Sequence, residues 1–292
     1  MKIFIIILLI LTIITLVISY ATYGKSGKIK SFLIQNPIKK NSKELTLLSI
    51  NMAHGRGDGR NQILQSNKVI KTYVKKIADI IKKENADVVA LQEADAPSCW
   101  SGDFSHVNYV AEHSAMSFAL QGKHVNGLGL QYGASLVTKL NVTEAISQTF
   151  ERSIPTFSKG FVMATCQWND LTFDVVSLHL DFSRESVRVK QLELLAQKIK
   201  ENHRPLIVMG DFNTDMSKEL LPNFMKELQL HTWKPNDKSI ITFPSFGGAR
   251  LDWILVSSEF EILTQEVLDD VVSDHKAVKV VLKFISKELP RK

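Results

Sequence analysis

The sequence predicts a layered α/β domain in which mixed β-sheets carry helices on their outer faces. Short apolar runs, such as LTLLSIN at 45–51 and DVVALQ at 87–92, are typical of buried strands. Between these runs, Ser66 is a favourable N-cap for a helix that extends to about residue 83. Strands and helices alternate along the chain, but short turns such as 169–170 join some strand pairs directly. This combination favours mixed sheets covered by helices.

The remaining elements follow from the same patterns. The helix after Ser66 has one apolar stripe at helical spacing, formed by Ile70, Tyr73, Val74, Ile77 and Ile81. Further strands are predicted at 134–138, 160–168, 172–178, 206–209, 251–256 and 277–284. A second amphipathic helix is predicted at 183–201, with Leu192, Leu195, Ala196 and Ile199 on one face. Cys99 and Cys166 can form at most one disulfide and are expected to be two ordinary thiols, so the fold does not depend on a disulfide framework.

The net charge of +6 is concentrated in the N-terminal region. Before Glu44 there are seven lysines and neither arginine nor acid, so this region carries +7 and the rest of the chain carries −1. The seven are Lys2, Lys25, Lys28, Lys30, Lys39, Lys40 and Lys43. Proteins that bind nucleic acid nonspecifically usually carry a basic surface on the folded domain. On average this domain lacks one, although a local basic patch is compatible with its composition.

The N-terminal segment 3–24 is uncharged and almost entirely apolar up to Ser19. As a helix it spans about 33 Å, which is enough to cross a bilayer. Its length favours a single-pass membrane anchor, and the lysines after it favour a cytoplasmic domain. The alternative is a cleaved signal peptide, since Ser19, Tyr20 and Ala21 form an acceptable cleavage site, and the domain would then be exported. We therefore divide the chain into an anchor or signal at 1–24, a basic tether at 25–43 that can lie on an anionic leaflet, and the main folded domain at 44–292.

Residue types that bind metal ions and phosphate lie at the ends of several predicted strands. They are Asn51, Glu93, His179, Asp211, Asn213, Asp252, Asp274 and His275. Each alone has an ordinary explanation, such as a solvated turn carboxylate, a core histidine or an Asx turn. Adjacent strand ends converge at one edge of a sheet, so the whole set is expected to form one site. Carboxylates, amides and imidazoles together can hold a hard cation and a phosphate.

The blocks that contain these residues resemble the endonuclease/exonuclease/phosphatase superfamily of metal-dependent phosphoesterases, which includes pancreatic-type deoxyribonuclease. They are LLSINMAHG, DVVALQEAD, VVSLHLD, LIVMGDFNTD, RLDWILV and VSDHKAV, and they extend from about residue 45 to 284. The resemblance implies a four-layered α/β sandwich, with two mixed sheets face to face and helices outside. It also implies hydrolysis of phosphate mono- or diesters by a monomer.

The resemblance further implies a role for each site residue. Glu93 is expected as the principal Mg²⁺ ligand, with Asn51 and Asp274 assisting at the metal and phosphate. Asp211 and Asn213 are expected to position the attacking water and a phosphate oxygen. Asp252 is expected to orient His275 as the base, and His179 to donate to the phosphate or leaving oxygen. A histidine of near-neutral pKa can take a proton from water, and an oxygen-rich donor set without thiolates favours Mg²⁺, Mn²⁺ or Ca²⁺ over zinc.

The substrate remains open between a nucleic acid and a lipid or small-molecule phosphate ester. The blocks GDFNT, LDWIL and SDH are closer to the nucleases of the superfamily, whereas the charge balance of the domain favours a small or lipid-linked ester. In the glycine-rich loop after Asn51, Arg56 and Arg60 can clamp a phosphate, although a flexible surface turn is an equal alternative. A catalytically inactive, membrane-tethered binding module is the rival of another class. The complete set of carboxylates and histidines disfavours it.

Overall fold

The computed structural model describes residues 2–29, 32–37 and 42–285. Their α-helices are α1 (Lys2–Ala21), α2 (Asn67–Lys83), α3 (His106–His113), α4 (Glu185–Lys200) and α5 (Leu220–Glu227). Their strands are β1 (Gly27–Lys28), β2 (Phe32–Leu33), β3 (Glu44–Asn51), β4 (Val88–Asp95), β5 (Phe118–Gln121), β6 (Val125–Gly127), β7 (Leu130–Thr138), β8 (Asn141–Thr149), β9 (Gly160–Trp168), β10 (Leu171–His179), β11 (Leu206–Asp211), β12 (Leu230–His231), β13 (Asp252–Ser257), β14 (Phe260–Val267) and β15 (Val278–Phe284). Short 3-10 turns lie at Ala53–Gly55, Gln62–Leu64 and Ser245–Gly247.

The strands form two mixed sheets, as the sequence predicts. One sheet has the order β1-β8-β9-β10-β11-β13-β12, and the other has the order β14-β15-β3-β4-β7-β5-β2, with β6 paired to β7. Near the middle of each sheet is one parallel pair, β10 with β11 and β3 with β4, while the flanking pairs are antiparallel. The carboxyl ends of these four parallel strands lie at the same edge of the sandwich, which we call the polar edge.

The two sheets pack face to face, and helices cover their outer faces. Along β3, Leu45 and Leu47 point into the core between the sheets, whereas Leu48 and Ile50 pack against α2 and α3. Both faces of β3 are therefore buried, which explains its continuous apolar run. The other outer face packs against α4 and α5 through residues such as Leu195. The expectation of an α/β sandwich is confirmed.

The predicted helices agree closely with the observed ones. Ser66 caps α2, and its hydroxyl accepts a hydrogen bond from the backbone N–H of Val69 at 3.3 Å. The second predicted helix, 183–201, is α4 at Glu185–Lys200. The strands β8 and β14, which the apolar patterns did not predict, lie near or at the sheet margins. Both have partly exposed, polar side chains, so they lack the apolar run of a buried strand.

The N-terminal region is more closely joined to the domain than a tether would be. Gly27 and Lys28 pair with β8, and Phe32 and Leu33 pair with β5, so the segment adds an edge strand to each sheet. The composition-based boundary at residue 44 therefore does not coincide with the limit of the sheets. Lys30, Lys39 and Lys40 lie outside the described residues. Among the helices that the structure describes, none meets the length and apolarity required to cross a membrane.

Candidate active site

The polar edge gathers most of the predicted site residues into one buried network. Asn51 ends β3, Glu93 lies near the end of β4, and His179 and Asp211 end the parallel pair β10 and β11. Asp252 begins β13 opposite Asp211, and Asp274 and His275 precede β15. The prediction that strand ends bring these residues together therefore agrees with the geometry described below.

Asp211 lies at the centre of this network and is only 1% exposed. One carboxylate oxygen accepts a hydrogen bond from the Asn51 amide at 3.1 Å, and the other accepts one from the backbone N–H of Asn213 at 2.9 Å. The first oxygen also lies 3.4 Å from Nε2 of His179 and 3.8 Å from Nε2 of His275. Asp211 thus joins residues from both sheets.

His275 and Asp252 form the predicted pair. Nδ1 of His275 lies 2.9 Å from a carboxylate oxygen of Asp252. The Phe243 ring packs against the imidazole, with the two ring centroids 4.7 Å apart. Burial acts to lower the pKa of His275, but the carboxylates of Asp252 and Asp211 outweigh it and raise the pKa to about 10. The imidazole is therefore fixed in orientation and positively charged at pH 7.

The same cluster holds more negative charge than its histidine balances. Burial and the adjacent Asp252 carboxylate raise the pKa of Asp211 to about 7, although His275 acts to lower it. The second oxygen of Asp252 is buried without a hydrogen-bond partner. Ligand atoms of Asp211, Asp252 and His275 lie within 4.8 Å of one another. Two buried carboxylates with an unsatisfied oxygen fit a hard cation, which would supply the missing positive charge.

Glu93 approaches the cluster from the other sheet. The register between β4 and β7 shifts between Leu91 and Ala94, and Glu93 has a left-handed backbone with φ 49°. This irregularity places its carboxylate 3.5 Å from Nε2 of His54 and 3.8 Å from Nζ of Lys159. Burial acts to raise the pKa of Glu93, but these two cations outweigh it and hold the pKa well below its usual range. Glu93 is therefore ionised and available to a cation.

Lys159 is a site residue that the sequence patterns did not identify. Its ammonium lies 3.2 Å from Nε2 of His179, next to Glu93. Burial lowers the pKa of His179 well below its ordinary value, and the charge of Lys159 lowers it further. His179 is therefore neutral at pH 7. Lys159 immediately precedes β9 in a polar loop, where an isolated lysine gives no periodic signal.

A second histidine–carboxylate pair, His54 with Asp95, was also missed. Nδ1 of His54 lies 2.7 Å from Asp95, whose other oxygen accepts a hydrogen bond from the Trp100 indole at 3.0 Å. The rings of Trp100 and Tyr132 enclose the imidazole. Burial acts to lower the pKa of His54, but Asp95 and Glu93 raise it above its ordinary value. The only signals in the sequence were that Asp95 follows Glu93 by two residues and that His54 follows Asn51 by three.

The predicted metal and phosphate ligands do not all meet at one point. Asp274 forms an ion pair with Arg56 at 2.5 Å, while Asn51 contacts Asp211. Arg56 is therefore close to the cluster but is engaged by a carboxylate. Arg60 is exposed on the same loop. Within the part of the chain that the structure describes, it makes no hydrogen bond or ion pair with the cluster. The residues that best fit a cation are Asp211 and Asp252, with Glu93 facing them across the site.

The comparisons with known proteins agree with this geometry. A sequence profile of the endonuclease/exonuclease/phosphatase family matches residues 48–275. The chain therefore belongs to the endonuclease/exonuclease/phosphatase family. A search of curated proteins finds no match.

Several solved structures share the fold. A family protein from Bacteroides thetaiotaomicron superposes with a TM-score of 0.64 and 20% identity, covering 86% of this chain and all of its own. The mannosyl-6-phosphatase of the same species gives a TM-score of 0.62 and 20% identity, covering 82% of this chain and 100% of that one. TDP2 of D. rerio, crystallised with a single-strand DNA product, superposes with a TM-score of 0.64 and 16% identity. The match covers 83% of this chain and 100% of the TDP2 chain. At identities this low, the structural similarity shows that these proteins share the fold of this chain, and no more than the fold.

Proposed function

We propose that this protein is a divalent-metal-dependent phosphoesterase that hydrolyses its substrate by in-line attack of water. The observation that carries the proposal is the buried network around Asp211, in which the His275–Asp252 pair and the neutral His179 face one carboxylate-rich site. The family acts on phosphoester bonds, and this network contains the groups that such a reaction requires. Its completeness also argues against an inactive binding module.

Asp211, Asp252 and Glu93 would hold the cation, with Asn51 orienting Asp211. A bound Mg²⁺ would supply positive charge that neutralises phosphate oxygens, and the same charge would lower the pKa of His275. Mn²⁺ and Ca²⁺ suit the same oxygen donors. No cysteine takes part, since Cys166 is buried in the core and Cys99 is exposed in the loop after β4.

The side chains divide the remaining work between proton transfer and positioning. Asp252 holds Nδ1 of His275, so that Nε2 faces the site and can accept the proton of the attacking water. Neutral His179 can donate to a phosphate oxygen or to the leaving oxygen. The side-chain amide of Asn213 donates to the backbone carbonyl of Leu180 at 3.1 Å, which fixes the loop after Asp211.

A nuclease is the second candidate. TDP2 of D. rerio, which shares the fold, was crystallised with a DNA product, and the blocks GDFNT and LDWIL resemble those of nucleases. The net charge of −1 beyond the N-terminal region weighs against it, because duplex binding requires basic contacts.

A substrate screen tests the proposal. The full-length protein is incubated with DNA, RNA, phospholipids, inositol phosphates and sugar phosphates, each with Mg²⁺ and with excess EDTA. We expect hydrolysis of at least one phosphate ester that EDTA abolishes and Mg²⁺ restores. Hydrolysis that is indifferent to EDTA, or no hydrolysis of any class, would argue against the proposal. Cleavage confined to DNA or RNA would select the nuclease.

Membrane attachment through the N-terminal segment is a separate proposal, supported by the apolar residues of 3–24. Cell fractionation and sequencing of the mature N-terminus test it. An anchored protein stays with membranes and keeps residues 1–24. A soluble protein that begins near Thr22 would instead identify a cleaved signal and an exported domain.

A further inference from the structure

The helix α1 joins the domain at the polar edge. Immediately after α1, Tyr23 forms a bridge with Val125 of β6, and the backbone N–H of Gly24 donates to the carbonyl of His124 at 2.9 Å. Val125 pairs in turn with Tyr132 of β7, whose ring lies against His54. The end of α1 is therefore separated from the catalytic cluster by a single hairpin.

The loop 150–159 connects α1 to the same cluster. The Arg152 guanidinium lies 4.0 Å from the Tyr20 ring and 4.1 Å from the Tyr23 ring, which are cation–π contacts. At the other end of this loop, Lys159 contacts Glu93. Two contacts thus hold the end of α1 relative to the site. One is the bridge between Tyr23 and Val125, and the other is the packing of Arg152 on Tyr20 and Tyr23.

The side chains of α1 that the structure describes are mostly exposed. Twelve large apolar residues between Phe4 and Tyr20 are 37–72% exposed. An exposed apolar surface of this extent indicates contact with a membrane or another protein. Since Thr22, one residue after α1, is buried at 2% exposure, the helix departs from the domain at this point.

A second group of exposed apolar side chains lies on loops at the polar edge. This apolar rim consists of Ile63, Leu64, Leu128, Phe182, Phe246 and Val271. Each of its loops adjoins the site: Phe182 follows His179 by three residues, and Phe246 follows Phe243, the ring that packs on His275. Leu128 lies in the hairpin turn whose Gly127 approaches the carbonyl of Ala21.

Scattered exposed apolar residues are common on soluble proteins, so the position of the rim carries the argument. Of the ten large apolar residues described as exposed outside α1, six form the rim at the polar edge, whereas Leu33 and Ile285 lie at the opposite edge beside the polar turn 169–170. Exposed Lys25 and Arg60 add positive charge near the rim, and exposed Asp58 and Asp269 lie on the loops that carry Arg60 and Val271. Apolar side chains mixed with cations suit a surface of lipid tails and phosphate head groups.

We propose that the polar edge docks onto a lipid bilayer, with α1 and the apolar rim in contact with the same membrane, and that the substrate is a phosphate ester of a membrane lipid. This inference rests on the proposed phosphoesterase function and adds the substrate class. The scissile phosphate of a lipid would then meet the cluster at the membrane surface, without leaving the bilayer.

A fluorescent reporter on the exposed thiol of Cys99 tests the docking without reference to activity. Cys99 lies in the loop after β4 at the polar edge, and its backbone N–H donates to the carbonyl of Gly129. The other thiol, Cys166, is buried with its pKa raised to about 12, so it will not compete for the label. The matched control carries the label at Asp170→Cys with Cys99→Ser, about 30 Å away along the nine-residue strands β9 and β10.

The full-length labelled proteins are reconstituted into phosphatidylcholine vesicles with some anionic lipid and with nitroxide-bearing lipids. We expect a blue shift and nitroxide quenching for the Cys99 label and neither for the label at position 170. Equal quenching at both positions, or none at either, would overturn the docking orientation. A blue shift without nitroxide quenching would mean that a protein, or a second copy of this chain, covers the rim, which would also overturn it.

Hydrolysis then separates failure of this inference from failure of the proposed function. The wild type, the rim variant Leu128→Ser/Phe246→Ser and the control Leu33→Ser/Ile285→Ser are given phospholipid in vesicles, or soluble p-nitrophenyl phosphate esters. We expect the rim variant to lose at least about tenfold in rate on vesicles only, because burial of two large apolar side chains is lost. The control should match the wild type on both substrates. Mg²⁺-dependent hydrolysis of the soluble ester with no activity on vesicles would contradict the lipid substrate alone. Equal vesicle rates for the two variants would contradict docking through the rim. No hydrolysis of either would contradict the phosphoesterase function itself.

Discussion

His275 and Asp252 are proposed to act as one unit, because the carboxylate fixes both the tautomer and the orientation of the imidazole. We expect His275→Ala to lower turnover by about 10²–10⁴-fold. Asp252→Asn should also be damaging alone, but it should cost less once the imidazole is gone, because only its contact with the cation is then lost and residues that act together are non-additive. Turnover of the wild type, both single variants and the double variant measures this coupling.

Additive losses in that cycle would mean that Asp252 does not orient His275 and serves only as a metal or structural carboxylate. The pH profile of His275→Ala gives a second check. An acid limb that persists in this variant would identify another group as the base, with His179 as the first candidate.

Glu93 is expected to serve the cation rather than the fold. It is ionised and faces the site from a β-bulge, while its neighbours are the cations His54 and Lys159. Glu93→Gln should lower Mg²⁺-dependent turnover by about 100-fold or more, which corresponds to a few kcal/mol of lost charge stabilisation. The matched control is Glu84→Gln, whose ion pair with Lys279 lies away from the site. Equal activity of the two variants would exclude Glu93 as a ligand.

Residues at strand ends were predictable because the strands themselves are apolar runs with a clear end. Asn51, His179 and Asp211 follow such runs directly, and the sheet brings them together. Lys159 and Asp95 were not predictable in this way. Lys159 lies in a polar loop without periodicity. The position of Asp95 depends on the register shift between Leu91 and Ala94 in β4, which the sequence does not reveal.

At the scale of elements, His124 fills the space between the sheets near the polar edge. A Cβ atom at Gly133 or Gly160 would lie 2.7 Å or less from its ring, so these glycines make room for the imidazole. Burial, together with the charge of Lys159, lowers the pKa of His124 to about 3. The histidine is therefore neutral in the folded protein over most of the accessible pH range.

This buried histidine predicts a loss of stability in acid. The unfolded chain binds a proton at His124 below about pH 6.5, whereas the folded protein does not until about pH 3. The wild type should therefore lose stability relative to His124→Gln as pH falls below 6.5, by about 1.4 kcal/mol per pH unit. Urea unfolding at pH 7, 6 and 5 measures the difference. The exposed His113→Gln is the control, and parallel curves for wild type and His124→Gln would contradict the account.

The edge strands β1 and β2 are predicted to stabilise the domain. Besides the pairing of β1 with β8 and of β2 with β5, four backbone hydrogen bonds among the described residues tie 22–34 to the sheets, between Gly24 and His124, Asn126 and Thr22, Ile29 and Ala145, and Ile34 and Ser117. At about 1 kcal/mol each, they contribute several kcal/mol. A protein that begins at Thr22 should therefore unfold like the full-length domain, whereas one that begins at residue 42 should be destabilised by about 2–6 kcal/mol. Equal urea midpoints for both truncations would show that residues 22–37 do not stabilise the domain.

These edge strands also show where sequence-based prediction reached its limit. The central strands are buried on both faces, so their apolar runs identified them and the sandwich. The strands β1 and β2 have only two residues each and lie in a basic segment, so their composition indicated a tether. Their pairing depends on long-range contacts with β8 and β5 that no local pattern encodes.

At the scale of the whole molecule, two sheets meet with their parallel strands ending at one edge, and that edge collects the proposed catalytic residues. The same edge carries the end of α1 and the apolar rim. The two sheets contribute different groups, Glu93 from one and Asp211 from the other, so the site depends on the packing of the complete sandwich.

The central claim is that the cluster around Asp211 uses a divalent cation to hydrolyse a phosphate ester. The most direct test measures hydrolysis against free Mg²⁺ concentration for the wild type and Asp211→Asn, with circular dichroism to confirm that both are folded. We expect saturable Mg²⁺ dependence in the wild type, and a loss of about 100-fold or more in the variant. A folded Asp211→Asn protein with unchanged activity and unchanged Mg²⁺ dependence would contradict the account.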